Sequence, residues 1–184
     1  MKYTLPHTIK NCIGETLIFK EIIPHPDGDK VLVENFVTPK SGPPMHTHFL
    51  QDECLTVVTG KIGYQILGEE PKYATTGETV MFERGVPHRF WNAGEDILHC
   101  TGFVQPVNNI MYFLTSIFEA QNKNKSERPE PFDGAFLMKR YSSEFRLEGL
   151  PAFVRNILMP TTYYVGKLFG KYKHFKNAPD PINS

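Results

Sequence analysis

The spacing of apolar and polar positions changes period once along the chain, near residue 106, and that change divides the sequence. Before it, short β-branched and aromatic runs alternate with turn clusters. Residues 17–23 predict a first strand, and the Pro-, Asp- and Gly-dense stretch PHPDGDK (24–30) predicts a turn into a second strand, VLVENFV (31–37). Two further strands are predicted within 40–60, on either side of a bend near Leu50, and others at 61–67, around Tyr73, and at 79–82, 88–92 and 97–104. Short strands at this density indicate an all-β barrel or sandwich. Residues 1–15 show no period and predict an irregular leading arm.

After Pro106 the period lengthens. In NNIMYFLTSIFEAQ (108–121), Ile110, Met111, Phe113, Leu114, Ile117 and Phe118 recur at helical spacing, with Asn108 placed as the N-cap. A charged, proline-containing linker (122–131) is expected to be mobile, and a short helix is predicted near 136–141. From 150 to 175 an aromatic-rich helix is expected, broken at Pro160. The division is therefore a β-domain over 1–105 and a helical C-terminal extension over 106–184.

Composition narrows the class of function. Lys plus Arg number 20 and Asp plus Glu 20, so no whole-chain basic charge argues for nucleic acid, and no helix-turn-helix pattern accompanies the β-domain. The distribution is uneven: residues 151–184 carry five basic residues and one acidic residue, whereas residues 1–104 carry nine and thirteen. The lysines beside Phe153, Ile157, Leu158, Tyr164, Val165, Leu168 and Phe169 suggest either helices that cap the β-domain or a surface that meets a membrane or partner. Cys12, Cys54 and Cys100 have no C-x-x-C spacing and read as reduced thiols. The N-terminus has no apolar core of a secretory signal, and with the thiols this predicts a cytoplasmic protein.

The chemistry concentrates in two blocks. In KSGPPMHTHFLQDECLTVVTG (40–60), His46 and His48 sit one residue apart, which on an extended segment aims both imidazoles to one side. Glu53 can return to the same interior after a bend near Leu50. His88 stands in the second block, GETVMFERGVPHRFWN (77–92). Three imidazoles and one carboxylate suit a borderline divalent ion, and residue types alone leave Fe, Mn, Ni, Cu and Zn all open. His7, His25 and His174 have no partner at ligand spacing; His99 lies on an expected strand and could face inward.

These two blocks resemble the paired motifs of the cupin superfamily. His46, His48, Glu53 and Gly60 match the first motif, with Lys40 where that motif has its leading glycine. Gly77, Gly85, His88 and Asn92 match the second, with Glu83 at its proline position. The resemblance spans roughly residues 25–105. It implies a single-domain, metal-binding, antiparallel β-barrel of the jelly-roll (double-stranded β-helix) type, with the metal in its mouth held by His46, His48, Glu53 and His88. Cupins include dioxygenases, isomerases and decarboxylases as well as non-catalytic binders of sugars and small effectors. The expected function is thus a metal-dependent enzyme acting on a small organic molecule, with an O₂-dependent dioxygenase as the leading type. The alternative is a ligand-binding or sensing module whose tail contacts a partner or membrane surface. Phe49, Leu55, Tyr64 and Phe90 are candidate pocket walls, and Phe90, two residues from His88, shares its face. No acid/base residue stands at a diagnostic spacing; Gln51 and Asp52 are expected to be surface bend residues. A homodimer through covered edge strands is the expected assembly.

Overall fold

The computed structural model describes residues 3–182. Its strands, in chain order, are β1 (His7–Lys10), β2 (Glu15–Ile23), β3 (Lys30–Val37), β4 (His46–His48), β5 (Asp52–Thr59) and β6 (Lys61–Ile66). There follow β7 (Lys72–Thr75), β8 (Thr79–Phe82), β9 (His88–Asn92) and β10 (Leu98–Gln105). Helices α1 (Ile110–Asn124) and α2 (Pro131–Arg140), a short strand β11 (Phe145–Leu147), a π-helical segment Val154–Leu158 and α3 (Met159–Leu168) complete the chain, with a 3₁₀ turn at Lys173–Phe175.

The strands form two antiparallel sheets. One has the order β1-β2-β3-β10-β5-β8 and the other β11-β4-β9-β6-β7. β3 shows why the sequence pairs as it does: Val31, Val33, Asn35 and Val37 are buried while the residues between them are partly exposed, the period-2 pattern of a sheet with one covered face. At the β5–β6 hairpin, Gly60 alone separates the strands and takes φ +93°, a conformation that side chains with a Cβ disfavour.

The expected barrel is not closed, because among the described residues no ladder joins the two sheets. The reason lies in what fills the space between them. In one half, Val37, Leu55, Val57, Ile62, Phe82, Phe90 and Leu98 pack sheet against sheet. In the other half, Leu17, Phe19, Val31, Val33 and Val104 meet Ile110, Met111, Phe113 and Phe118 of α1, with Leu137, Tyr141 and Phe145 beyond them. Helix α1 and strand β11 therefore belong to the core that the inner strands bury, and β11 supplies the margin of the second sheet.

Four local expectations change. The leading arm is not irregular throughout, since His7–Lys10 pairs with Thr16–Phe19 as an edge strand; four residues are too few to show a period. Asn109, not Asn108, precedes α1, and its side chain makes no cap because it is bonded to Glu144 instead. Residues 125–130 are stitched back onto α1, Gln121 Nε2 donating to the Glu127 carbonyl and Asn124 Nδ2 to that of Arg128. Pro160 does not break the tail helix. The π-helical segment just before it widens the backbone, and the Met159 N–H bonds back to the Val154 carbonyl, five residues earlier, which makes room for the proline ring.

Candidate metal centre

His46 and His48 lie on β4, Glu53 on β5 and His88 on β9, so the centre joins both sheets at a single point. Cross-strand register brings His46 opposite His88. The bend at residues 49–51 then carries the chain from the second sheet to the first and delivers Glu53. The bend is held where it begins: the Phe49 N–H bonds to the Glu144 carbonyl, and the Gly85 N–H bonds to the His48 carbonyl at 2.7 Å. Gly85 takes φ +79°, so the turn ahead of His88 needs its freedom. All four sequence-predicted ligands converge, with one donor atom from each lying within 4.8 Å of the others.

Their polar atoms bear on what the group could hold. His46 Nδ1 lies 2.8 Å from the Pro44 carbonyl and His88 Nδ1 2.8 Å from the Val86 carbonyl. Each Nδ1 must donate its proton there, which leaves Nε2 as a bare lone pair. His88 Nε2 is buried with no hydrogen-bond partner and faces Glu53 Oε2 at 3.5 Å, while His48 Nε2 faces the same oxygen at 3.9 Å. Acceptors facing one another in a buried space are unfavourable unless a cation lies between them. Ligands ~2.1 Å from one ion and roughly at right or tetrahedral angles stand ~3.0–3.4 Å apart, close to the separations here.

Protonation fits the same purpose. Burial, reinforced by the nearness of His88, lowers His46 to about 4, and burial together with His46 lowers His48 to about 3. Burial alone would raise the Glu53 carboxyl, but the contact with His88 and the surrounding imidazoles outweigh it and bring Glu53 down to about 2. At neutral pH His46 and His48 are therefore neutral imidazoles and Glu53 a carboxylate, the forms that ligate a metal.

Around the ligands the walls are aromatic. Phe82 stacks flat on His88, with 4.1 Å between ring centroids and 6° between planes, and Tyr64 meets Phe82 edge-on. Leu55 and Phe90 are buried in the same cluster, with Tyr64 packed against it. Phe49, by contrast, lies under the Arg146 guanidinium at 4.9 Å. His99 turns outward, stacked on Phe36 and bonded to Glu34. Asn92, the last motif residue, anchors the loop after β9: its amide donates to the carbonyls of Val37 and Asp96 and accepts from the Gly94 N–H.

Several neighbours were not visible as such in the sequence. Asp52 is a surface residue paired with Arg84, as expected, but Gln51 is 1% exposed, and its Oε1 is a buried acceptor with no partner. Its amide donates to Glu144, which also accepts from Asn109 and the Ile182 N–H and is fully buried. Phe145 sets its ring edge-on to His48 and stacks on Phe113 of α1 at 4.2 Å. The C-terminal extension thus reaches the centre through β11, a three-residue strand too short for its alternation to register.

Residues 36–103 match the family model described as the cupin domain. The chain carries a cupin domain. That domain holds all four candidate ligands, and the helical extension lies beyond the matched residues. Among solved structures, the chain is similar to KdgF from a Halomonas species, at 19% identity over 53% of this chain and 85% of that one, with a TM-score of 0.43. It is also similar to a double-stranded β-helix protein from Klebsiella pneumoniae, at 17% identity over 59% and 80% of the two chains, with a TM-score of 0.42. The DMSP lyase DddQ from Ruegeria pomeroyi is similar at 17% identity over 42% and 38%, with a TM-score of 0.37. No curated protein sequence matches the chain.

Proposed function

We propose that the protein is a metal-dependent cupin enzyme acting on a small, uncharged organic molecule, with an O₂-dependent dioxygenase as the specific reaction type. The observation that carries this reading is the convergence of His46, His48, Glu53 and His88 on one buried space, with a bare His88 Nε2 lone pair aimed into it. A divalent ion bound there supplies Lewis acidity and, if redox-active, electrons for dioxygen chemistry.

This chain's own residues set the rest. One carboxylate offsets half the charge of a divalent ion, so the centre stays electrophilic. Four protein ligands leave about two positions of a six-coordinate ion open. Phe82 shields the His88 side from water, and Phe82, Phe90 and Tyr64 offer an apolar, aromatic wall. The nearby arginines all serve elsewhere: Arg84 pairs with Asp52, Arg89 bonds to Gln65 and Arg146 to Glu148. With no cation spared for an anionic group, a neutral substrate is favoured.

The test is the metal content of protein purified without chelator, followed by oxygen uptake with phenolic substrates with and without Fe(II). Near-stoichiometric metal and metal-dependent uptake are expected. Protein that stays metal-free after reconstitution would remove the proposal. A second reading, a non-catalytic sensor, is favoured by the Gln51–Glu144–Asn109 bonds, which tie the centre to the helical extension; ligand-induced stabilisation without turnover would select it.

A further inference from the structure

Helix α3 is apolar on two sides. Its inner side packs on α2: Tyr163 and Tyr172 stack around Phe136, and Gly166 is buried where a Cβ would fall 2.3 Å from the Tyr172 hydroxyl. Its outer side should then be polar in a helix that lies on a protein surface. Instead Tyr164 and Leu168, one turn apart, are 60% and 81% exposed, and Phe169 at the helix end is 70% exposed. The π-helical segment and the residue before it add Phe153, Ile157 and Leu158, each at least half exposed. A contiguous run of this size on the surface of a water-soluble fold marks a face that something else covers.

Charge decides what covers it. Arg155, Lys167, Lys171, Lys173 and Lys176 are exposed, and none of them forms an ion pair among the described residues. A second copy meeting this face by two-fold symmetry would bring five cations against five. An anionic surface removes that repulsion. Lysines beside protruding Leu and Phe side chains are the composition of a helix that lies in a bilayer interface, apolar side chains among the acyl chains and ammonium groups at the headgroups. No described helix is long and apolar enough to cross a membrane, so the contact is peripheral.

We propose that the outer face of residues 153–173 docks the protein onto an anionic membrane surface, with Leu168 and Phe169 as the inserted tip and the surrounding lysines on the lipid headgroups. The cupin domain would then sit at the bilayer, where apolar small molecules concentrate. The proposal rests on the tail alone and stands whether or not the metal centre turns over a substrate.

The test is vesicle co-flotation of the full chain with phosphatidylcholine vesicles containing about one-third phosphatidylserine, against pure phosphatidylcholine. Binding to the anionic vesicles at least tenfold stronger than to neutral ones, and weakened at high salt, is expected. The double variant Leu168→Glu/Phe169→Glu and the variant Lys167→Gln/Lys171→Gln should each lose at least tenfold in partitioning while keeping the parent's circular dichroism and melting temperature. Failure to float with anionic vesicles would overturn the proposal, as would equal binding by the variants. Concentration-dependent self-association that the Leu168→Glu/Phe169→Glu variant abolishes would overturn it in favour of a second copy.

Discussion

The metal centre and the tail break the ordinary distribution of polar and apolar groups in opposite directions. At the centre, Gln51 Oε1 and His88 Nε2 are acceptors buried without partners. In the tail, Phe153, Leu168 and Phe169 stand in solvent. Each arrangement is unfavourable in the isolated chain, the first because buried lone pairs lose water and the second because apolar area stays wet. Each departure has a concentrated part, beside scattered instances such as the unpartnered Asn35 Oδ1 and the half-exposed Leu67 and Tyr73. The concentrated part of each has one chemical sign, buried acceptors at the centre and apolar groups beside lysines in the tail, and that is how a candidate site differs from imperfect packing.

The largest effect that bears on this comparison is removal of the ion. At a free metal concentration a thousandfold above its dissociation constant, loading should stabilise the fold by about 4 kcal/mol. Thermal melts with and without chelator check this, and Glu53→Gln and His88→Ala should each abolish the gain. If metal leaves the melting temperature unchanged in the parent, the buried acceptors are tolerated for another reason and the comparison fails on that side.

A second buried carboxyl sharpens the meaning of the first. Glu15 lies between the sheets and is bonded to Asn35 Nδ2 at 3.1 Å; burial, only partly offset by that bond, raises it to about 7 from an ordinary 4.5. Below pH 4.5 both folded and unfolded chains carry this proton. As the pH rises from about 4.5 to 7 the unfolded chain ionises first, so the folded state loses up to about 3 kcal/mol and then levels off. Glu15→Gln keeps the acceptor for Asn35 and removes the titration. Urea unfolding should therefore show the variant near parity with the parent at pH 4 and more stable by up to about 3 kcal/mol at pH 8. Equal pH slopes would mean that Glu15 is ionised when folded, and that the burial of Glu53 is not special to its imidazoles.

Legibility in the sequence followed the range of the interactions involved. The convergence of the four candidate ligands could be read because strand alternation and one bend fix His46, His48 and Glu53 within eight residues, and the second motif fixes His88 independently. The strands around them were read for the same reason. What could not be read depends on contacts between distant segments. Gln51 was placed on the surface because a bend residue is usually solvated, whereas Glu144, 93 residues later, folds back to cover it. The open arrangement of the sheets follows from α1 entering the core, and the helix's own apolar stripe does not say which surface it will meet. Pro160 was read by its local rule, and the wide π turn that accommodates it leaves no mark in residue type.

A smaller effect probes a departure from the motif itself. Lys40 occupies the position of the leading glycine and takes φ +67°, with its N–H bonded to the Asn92 carbonyl. Lys40→Gly keeps that bond and relieves the left-handed strain, and should stabilise the fold by about 0.5–1 kcal/mol in denaturant midpoints. A loss of stability would show that the lysine side chain, beside Trp91 and Lys61 in a surface cleft, contributes more than its backbone costs.

The smallest effect is the most specific to the tail. Leu168→Ser removes an apolar side chain that touches little of its own chain, so unfolding in water should move by no more than about 0.5 kcal/mol. Truncating a buried residue of the same helical extension, Phe136→Ala, should cost about 3 kcal/mol, because Phe136 stacks on Phe175 at 4.3 Å and on Tyr172. The pair separates two roles that composition alone treats alike. If Leu168→Ser proved as costly as Phe136→Ala, the outer face would be part of the fold's own core and the two halves of the molecule would no longer stand in contrast. If it is silent, the apolar tip contributes nothing to folding, and its occurrence beside lysines is left to what the tail binds.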